Sequence, residues 1–292
     1  MQWWTLKQIG PNVFELCFWD IGQDTAWMLL RSDVHHDNPK CDQDLERKHL
    51  NEAMESNCPV LDNGDLFCAM QGKYDRRSSK ESIRPEHQTN NYLDSLVSTA
   101  VEFYQPYKSI LAICGRGNHE TAIQKNHETD LTDRLTAGLR SVGGVTLSSG
   151  YSGWVRLSVK SSANPDRYVA SAWLHHYHGS GGGGPVTKGV IQTNRIANYT
   201  PDANVVLTGH THDDWIFSIP RQRISQNGRV YRDEQLHVRC PGYKDAWGDG
   251  SGGWEVERGM GPKNIGSAWL GITVSRSKGG ADRLNLEAVR AK

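Results

Sequence analysis

Ser109-Ile110-Leu111-Ala112-Ile113-Cys114-Gly115-Arg116-Gly117-Asn118-His119-Glu120 is the stretch from which the rest of this chain is read. Ser109 to Ile113 is an apolar run of strand length. After Cys114 the chain breaks into Gly-Arg-Gly-Asn-His-Glu and continues as a polar, helix-compatible segment. A buried strand that opens onto a glycine turn delivers its next side chains to the edge of a sheet, where open α/β sheets bind ligands. The two glycines let the backbone turn sharply and come close to a ligand. Asn118 then offers a neutral oxygen and His119 a proton carrier. As a purely structural element, the same stretch is a strand-to-helix turn with Asn as the cap.

The same pattern recurs on both sides. Upstream, Asn90–Tyr104 reads as an amphipathic helix with Leu93, Leu96, Val97, Ala100, Val101 and Tyr104 on one side. Before it, residues 70–88 are polar, charged and aperiodic, and read as a long loop or insertion. Cys58–Leu61 is a short strand that ends in Asp62-Asn63-Gly64-Asp65, and Asp42–Asn57 is a helix with Asp42 as its cap. Thr25–Arg31 is a buried strand followed by Ser32-Asp33-Val34-His35. On an extended backbone Asp33 and His35 leave from one face, which suits a divalent metal. Residues 1–24 read as an edge strand or an N-terminal arm. Strands alternating with helices over 25–140 point to βαβ units and a mostly parallel sheet.

Downstream, Val145–Lys160 and Arg167–His178 read as strands. The second ends in His175-His176-Tyr177-His178 and runs into Gly179-Ser180-Gly181-Gly182-Gly183-Gly184-Pro185. That glycine run is read as a loop whose N–H groups approach an anion. It is not a P-loop, because Pro185-Val186 stands where Lys-Ser/Thr is required. Residues 186–199 read as a helix, and Asn204–Leu207 as a strand ending in Thr208-Gly209-His210-Thr211-His212. Residues 215–290 are strand-like, with a hairpin at Gln226-Asn227-Gly228.

Composition narrows the classes. The 292 residues are 37% hydrophobic with 10 Trp, enough for a sizeable core. Lys plus Arg and Asp plus Glu are 33 each, so no general electrostatic grip on nucleic acid is advertised. The six Cys form no CxxC pair and read as reduced thiols. No apolar run approaches the ~18 residues of a membrane span. With no export signal at the N-terminus, the cytoplasm is the expected compartment. A single domain over 1–292 is expected, carrying the arm about 1–24 and the insertion about 70–88.

Strand ends thus supply Asp33 and His35, then Asp65, then Asn118 and His119, a His cluster, and His210 with His212. This ordered set of DxH, GD, GNH[DE], strand-end His and GHxH resembles the calcineurin-like metallophosphoesterase superfamily. The resemblance spans residues 33–212. It implies a four-layered α/β/β/α sandwich of two mixed sheets and a two-metal site. It implies that Asp33, His35 and His212 hold the first metal and that Asp65 bridges. Asn118, His210 and one His of the cluster complete the second, with His178 placed first, His176 next and His175 last. Shared carboxylates let two cations sit ~3.5–4 Å apart. Mixed N/O ligation favours transition metals, with Mn first and Fe, Zn or Ni as alternatives.

The resemblance further implies that a hydroxide bridging the metals attacks a phosphomonoester or phosphodiester, that His119 assists the leaving oxygen, and that Arg116 contacts phosphate. Arg116 in RGNHE is similar to the protein Ser/Thr phosphatase branch, but Gly64-Asp65-Leu66-Phe67-Cys68 departs from that branch's GDxVDRG. Cys68 stands where an Asp would orient His119, so another group must do so. Gly64-Asp65-Leu66-Phe67 looks more like the DNA-repair nuclease branch, and the glycine loop with Pro185-Val186-Thr187-Lys188-Gly189 resembles bacteriophage and prophage members. The expected partner is a phosphate ester, a nucleotide or nucleic acid among them, with no membrane; oligomeric state is not legible. Lys73, Arg76, Arg77, Lys80 and Arg84 would line a nucleic-acid groove in a nuclease, or simply form a solvated loop. A metal- or phosphate-binding module without activity is the remaining alternative.

Overall fold

A computed structural model describes residues 3–70, 82–179, 190–248, 254–276 and 282–292. Strands β1 (Trp4–Gly10) and β2 (Val13–Trp19) are followed by β3 (Ala26–Arg31), helix α1 (Gln43–Glu55), β4 (Val60–Asp62), α2 (Tyr92–Tyr104) and β5 (Leu111–Cys114). Next come α3 (Asn118–His127), α4 (Leu131–Ser141), β6 (Leu147–Ser148), β7 (Ser152–Ser161), β8 (Asn164–Tyr177), α5 (Val190–Tyr199) and β9 (Val205–Thr208). The chain closes with β10 (Trp215–Ile224), β11 (Val230–Arg239), α6 (Trp254–Glu257), β12 (Ala268–Ser275) and β13 (Arg283–Arg290).

The strands form a seven-stranded sheet, ordered β1-β2-β7-β8-β9-β11-β10, and a six-stranded sheet, ordered β13-β12-β3-β4-β5-β6. Both are mixed. In the second, β3, β4, β5 and β6 run parallel, while β12 and β13 add an antiparallel edge. Strands buried on both faces must be apolar nearly throughout, and β3 shows why. Met28 and Leu30 join Phe14, Leu16, Val155, Leu174 and Val205 in the core that draws on both sheets. Leu29, between them, turns to the other face and packs with Leu50, Leu96, Ala100, Leu135 and Leu139 from α1, α2 and α4. On the outer face of the seven-stranded sheet, Ile196 of α5 packs on Val206, with Trp154 and Tyr177 against it. The layers are therefore α/β/β/α, as the sequence implies.

Two expectations on the chain ends of this sandwich need restating. Residues 4–19, read as an edge strand or an arm, are sheet, with β1 an edge strand of the seven-stranded sheet. They form an antiparallel hairpin whose second strand pairs in parallel with β7, and Trp4, Phe14, Leu16 and Phe18 are buried in the core. The period-two alternation in Phe14-Glu15-Leu16-Cys17-Phe18 is the physical reason. Of the polar insertion, 71–81 lies outside the described residues, as do Lys73, Arg76, Arg77 and Lys80; the following Pro85–His87 is a 3-10 turn. The hairpin expected at 226–228 joins β10 to β11 with Ile224 opposite Val230. All six cysteines are buried and unbonded to one another. Among the described residues, no helix is long and apolar enough to cross a membrane.

A charged network lies at the carboxyl ends of β3 and β4. Arg31 is fully buried; its Nη1 donates to Glu46 Oε1 at 2.9 Å, and its Nε makes an off-line ion-pair contact with Asp62 Oδ2 at 2.9 Å. Tyr104 O–H donates to Glu46, and His36 Nδ1 lies 2.9 Å from Glu46 Oε2. Burial alone would raise Glu46, yet His36 and Arg31 hold it down at about 2. Burial lifts Asp62 to about 6 despite Arg31. Removing one member of a buried pair leaves the other charge uncompensated, which costs about 3–5 kcal/mol. Arg31→Met is expected to lower stability by that amount in urea unfolding, while an exposed control such as Lys48→Met is expected to change it by less than about 0.5 kcal/mol.

Candidate metal centre

The strand ends do not present their ligands from extended backbone. β3 ends at Arg31 and β9 at Thr208, so Asp33, His35, His210 and His212 lie beyond the last ladder residue. Asp33, His35, Asp65, His210 and His212 have φ of 53°, 50°, 52°, 71° and 55°, all left-handed. Two-apart side chains therefore come together through left-handed turns, not through strand alternation. This corrects the expected geometry while keeping its outcome. Asp and His tolerate this region better than most residues, but each such position still costs on the order of 1–3 kcal/mol and clusters at functional sites.

The turns are stitched to one another. Asp33 N–H donates to Gly64 O at 2.9 Å, His35 N–H to Asp65 O at 3.0 Å, and His36 N–H to Leu66 O at 2.8 Å. Glu120, buried on the first turn of α3, accepts from the N–H groups of Asp65 (3.1 Å), Phe67 (2.8 Å) and Gly117 (2.8 Å). Glycine is required where these turns meet. A Cβ on Gly117 would fall 2.1 Å from Asp65 Oδ1, and one on Gly209 would fall 2.0 Å from Ser32 Oγ and 2.2 Å from Asp33 Oδ2. The glycines of the GNH and GHxH motifs therefore let main chain pass directly against the two carboxylates.

All seven residues expected to bind metal converge. Asp33, His35 and His212 form one group and Asp65, His178 and His210 a second, each with ligand atoms within 4.8 Å of one another. His35 Nε2 and His212 Nε2 are 3.2 Å apart, and His212 Nε2 is 3.5 Å from Asp33 Oδ1. His178 Nε2 lies 3.1 Å from Asp65 Oδ2 and 3.8 Å from Asp33 Oδ1. Asn118 Oδ1 completes the second group, 3.3 Å from His178 Nε2 and 2.6 Å from His210 Nδ1.

The electrostatics suit a cation. Burial, with repulsion from His119 and His212, holds His35 well below its ordinary range. His212 and His210 are lowered too, mainly by burial. These imidazoles are neutral at pH 7 and keep a lone pair for a metal. Burial opposes ionisation of Asp65, but His178 and His119 outweigh it and hold the carboxyl well below its usual value. For His178 burial again opposes charge, and Asp65 and Asp33 override it, raising the imidazole to about 10. A proton there occupies the electrostatic position that a metal would take. Asp33 Oδ1 is buried and accepts no hydrogen bond. A carboxylate oxygen left so among nitrogen donors is costly unless a cation meets it. The donor set thus fits divalent transition metals.

The histidine cluster is resolved by placement. His178, just past β8, is in the second group. His176 is fully buried but faces Ser149 Oγ at 2.8 Å and Asn63 Oδ1 at 3.1 Å, and burial lowers it to about 3. His175 packs on Trp154 with ring centroids 4.6 Å apart. Ser180 to Pro185 of the glycine loop lie outside the described residues.

Arg116 and His119, the two residues given roles beside the metals, stand in different surroundings. Arg116 does not join the cluster. Its Nε donates to Asp130 Oδ2 at 2.7 Å and its Nη1 to Ser149 O at 2.7 Å, while Nη2 lies 2.6 Å from Asp130 Oδ2. The guanidinium ties the β5–α3 turn to the first residue before α4. His119 is in the cluster, with Nε2 3.8 Å from Asp65 Oδ2. Its orienting group is the main-chain carbonyl of Cys68, 2.5 Å from Nδ1. That carbonyl is fixed by Asp37, whose carboxylate accepts from Cys68 N–H (2.5 Å) and Ala69 N–H (2.9 Å). Asp37 looks like ordinary turn polarity in the sequence, and Glu120, although it closes the GNH[DE] motif, is given no role there.

No family model matches this chain, and no curated protein matches it. Among solved structures, a conserved uncharacterized protein of Streptococcus pneumoniae, described as a predicted phosphoesterase, matches at 10% identity over 90% of this chain and 98% of its own, with a TM-score of 0.31. Vps29 of Entamoeba histolytica, complexed with zinc, matches at 10% identity over 90% of this chain and 98% of its own, with a TM-score of 0.34. Vps29 of Chaetomium thermophilum gives 10%, 91%, 96% and 0.32 for the same quantities. The site is therefore read from the chain's own residues. Its two mixed sheets with helix layers on either side agree with the α/β/β/α sandwich that the motifs imply.

Proton and metal must compete for His178. Because its raised value is about 10, the imidazole is protonated below that pH and must lose one proton to bind a cation. Mn²⁺ affinity at this position should then rise about tenfold per pH unit between 6 and 9. Calorimetry in buffers of different ionisation enthalpy should show about one proton released. His178→Ala is expected to weaken metal binding and remove the proton release, while His176→Ala leaves both intact.

Proposed function

We propose that this chain is a metal-dependent phosphoester hydrolase that holds two divalent transition-metal ions, Mn²⁺ in first place. The observation that carries it is the convergence of Asp33, His35 and His212 with Asp65, His178 and His210 on one buried edge, with Asn118 beside the second group. Cations there would activate water near neutral pH and neutralise phosphate oxygens. Asp33, His35 and His212 would hold the first ion; Asn118, His178 and His210 the second; Asp65, between the groups, is the residue to be shared.

His119 has defined proton geometry. A carbonyl only accepts, so His119 Nδ1 must carry the hydrogen that meets Cys68 O. The proton available for transfer is then on Nε2, on the side of Asp65. Giving it to a leaving oxygen leaves the neutral Nδ1–H tautomer, which Cys68 O still satisfies. The ring therefore need not turn during the step. This main-chain support supplies the orienting group that the Cys68 side chain does not, and it favours an enzyme over a module without activity.

The substrate class proposed is a small phosphomonoester or phosphodiester. The balanced charge of 33 basic and 33 acidic residues favours it over a nucleic acid. Elemental analysis after Mn²⁺ loading should find close to two ions per chain, and one or none would overturn the two-metal reading. The loaded protein should hydrolyse p-nitrophenyl phosphate or bis-p-nitrophenyl phosphate faster than single-stranded DNA. Inertness on all three would instead favour a metal or phosphate clamp. His119→Ala should retain its metal and lose ~10²–10⁴ in kcat.

A further inference from the structure

Arg116 is paired with Asp130, so among the described residues the RGNHE motif does not place its cation at the ligand cluster. The loop after β11 brings another. Tyr243 N–H donates to Asp33 O at 3.3 Å, Asp42 N–H to Tyr243 O at 2.8 Å, and Asp245 N–H to Lys40 O at 2.9 Å. Lys244 itself bridges to Cys41 in antiparallel register. A Cβ on Gly242 would fall 2.5 Å from Asp33 O, so this loop lies directly on the turn that carries Asp33 and His35. Lys244 is thus two bonded residues from that contact and fixed in place on both sides.

Neighbouring cations are otherwise engaged. Lys263 Nζ donates to Thr211 O and lies 3.7 Å from Asp213. Arg239 lies over the Trp215 ring at 4.2 Å and donates to Thr208 and Thr211. Lys244, by contrast, is held by one carboxylate, Glu255 on α6, at 2.7 Å, with both side chains partly exposed. The two side chains are 18% and 13% exposed, so the Lys244 ammonium keeps access to solvent and can exchange this one partner for another anion.

We propose that Lys244 is the phosphate-anchoring cation of this site, exchanging Glu255 for a non-bridging oxygen of the phosphoryl group. This rests on the phosphoester reading above. Exchange of one ion partner for another moves no covalent bond and no proton.

The test is calorimetric titration of inorganic phosphate into Mn²⁺-loaded protein, with metal content measured for each variant. Lys244→Ala should keep its metal and bind phosphate ~10–100-fold more weakly, the range of a hydrogen bond to a charged group. Lys244→Arg should recover part of that loss. Glu255→Gln should bind phosphate more tightly than wild type, since it frees the ammonium. Unchanged affinity in Lys244→Ala, or a Glu255→Gln variant that loses affinity as Lys244→Ala does, would overturn the assignment, the second by showing that the pair only holds the loop. A loaded wild-type protein that binds no phosphate would sink the phosphoester reading itself, and Lys244 with it.

Discussion

The Asp33 carboxylate is the point on which this structure turns. Asp33 follows β3 of the six-stranded sheet, and its Oδ2 accepts the N–H of His210, which follows β9 of the seven-stranded sheet, at 2.8 Å. One buried anion thereby joins the edges of both sheets. Its other oxygen faces His212 and His178 without a hydrogen bond. Burying an anion is unfavourable unless donors or cations compensate it, so the protein must assemble positive or donating groups around this residue. The histidines, the His210 N–H and the tight Gly209 approach are that assembly. A second tie of the same kind runs through Asn63, which donates to Tyr177 O at 3.2 Å and faces His176 at 3.1 Å.

Backbone strain and charge burial are concentrated in the same turns. Five of the expected ligands, Asp33, His35, Asp65, His210 and His212, are held in left-handed conformation. Such conformations persist only where surroundings over-determine them. The surroundings are identifiable: the hydrogen bonds between the 33–36 and 64–66 turns, the three N–H groups gathered by Glu120, and the Arg31–Glu46–Asp62 network at the strand ends. The apolar layers on either side of β3 fix the strands, and these polar ties fix what leaves them. A metal would then meet ligands already placed, losing little to reorganisation.

Much of this was legible in the sequence, and the exceptions have physical reasons. Apolar strands followed by polar turns located β3, β4, β5 and β9, because burial on both faces demands uninterrupted apolar residues there. The left-handed turns were not legible, since Asp and His occupy extended and left-handed backbone alike. The Phe14-Leu16-Phe18 alternation was present but too short to decide between an arm and a sheet strand. The pairing of Arg116 was not legible for a different reason. Its partner Asp130 is fourteen residues on, at the cap of α4, where it also accepts from Asp133 N–H at 2.9 Å. A motif shows which residue is present, not which carboxylate reaches it first.

Cys68 shows the deepest limit of motif reasoning. Where the resembled branch has an Asp side chain to orient the histidine, here the main-chain carbonyl of Cys68 meets His119 Nδ1. A carbonyl is present at every position, so its use leaves no mark in the sequence. What specifies it is Asp37, thirty-one residues away, gripping the N–H groups of residues 68 and 69. The two devices differ electrostatically. An Asp carboxylate would add a negative charge next to the imidazole and stabilise its protonated form. A neutral carbonyl fixes the tautomer and ring direction with far less of that stabilisation. Asp65 Oδ2 lies 3.8 Å from His119 Nε2, so the two ring nitrogens face a fixed neutral acceptor on one side and the carboxylate between the two ligand groups on the other.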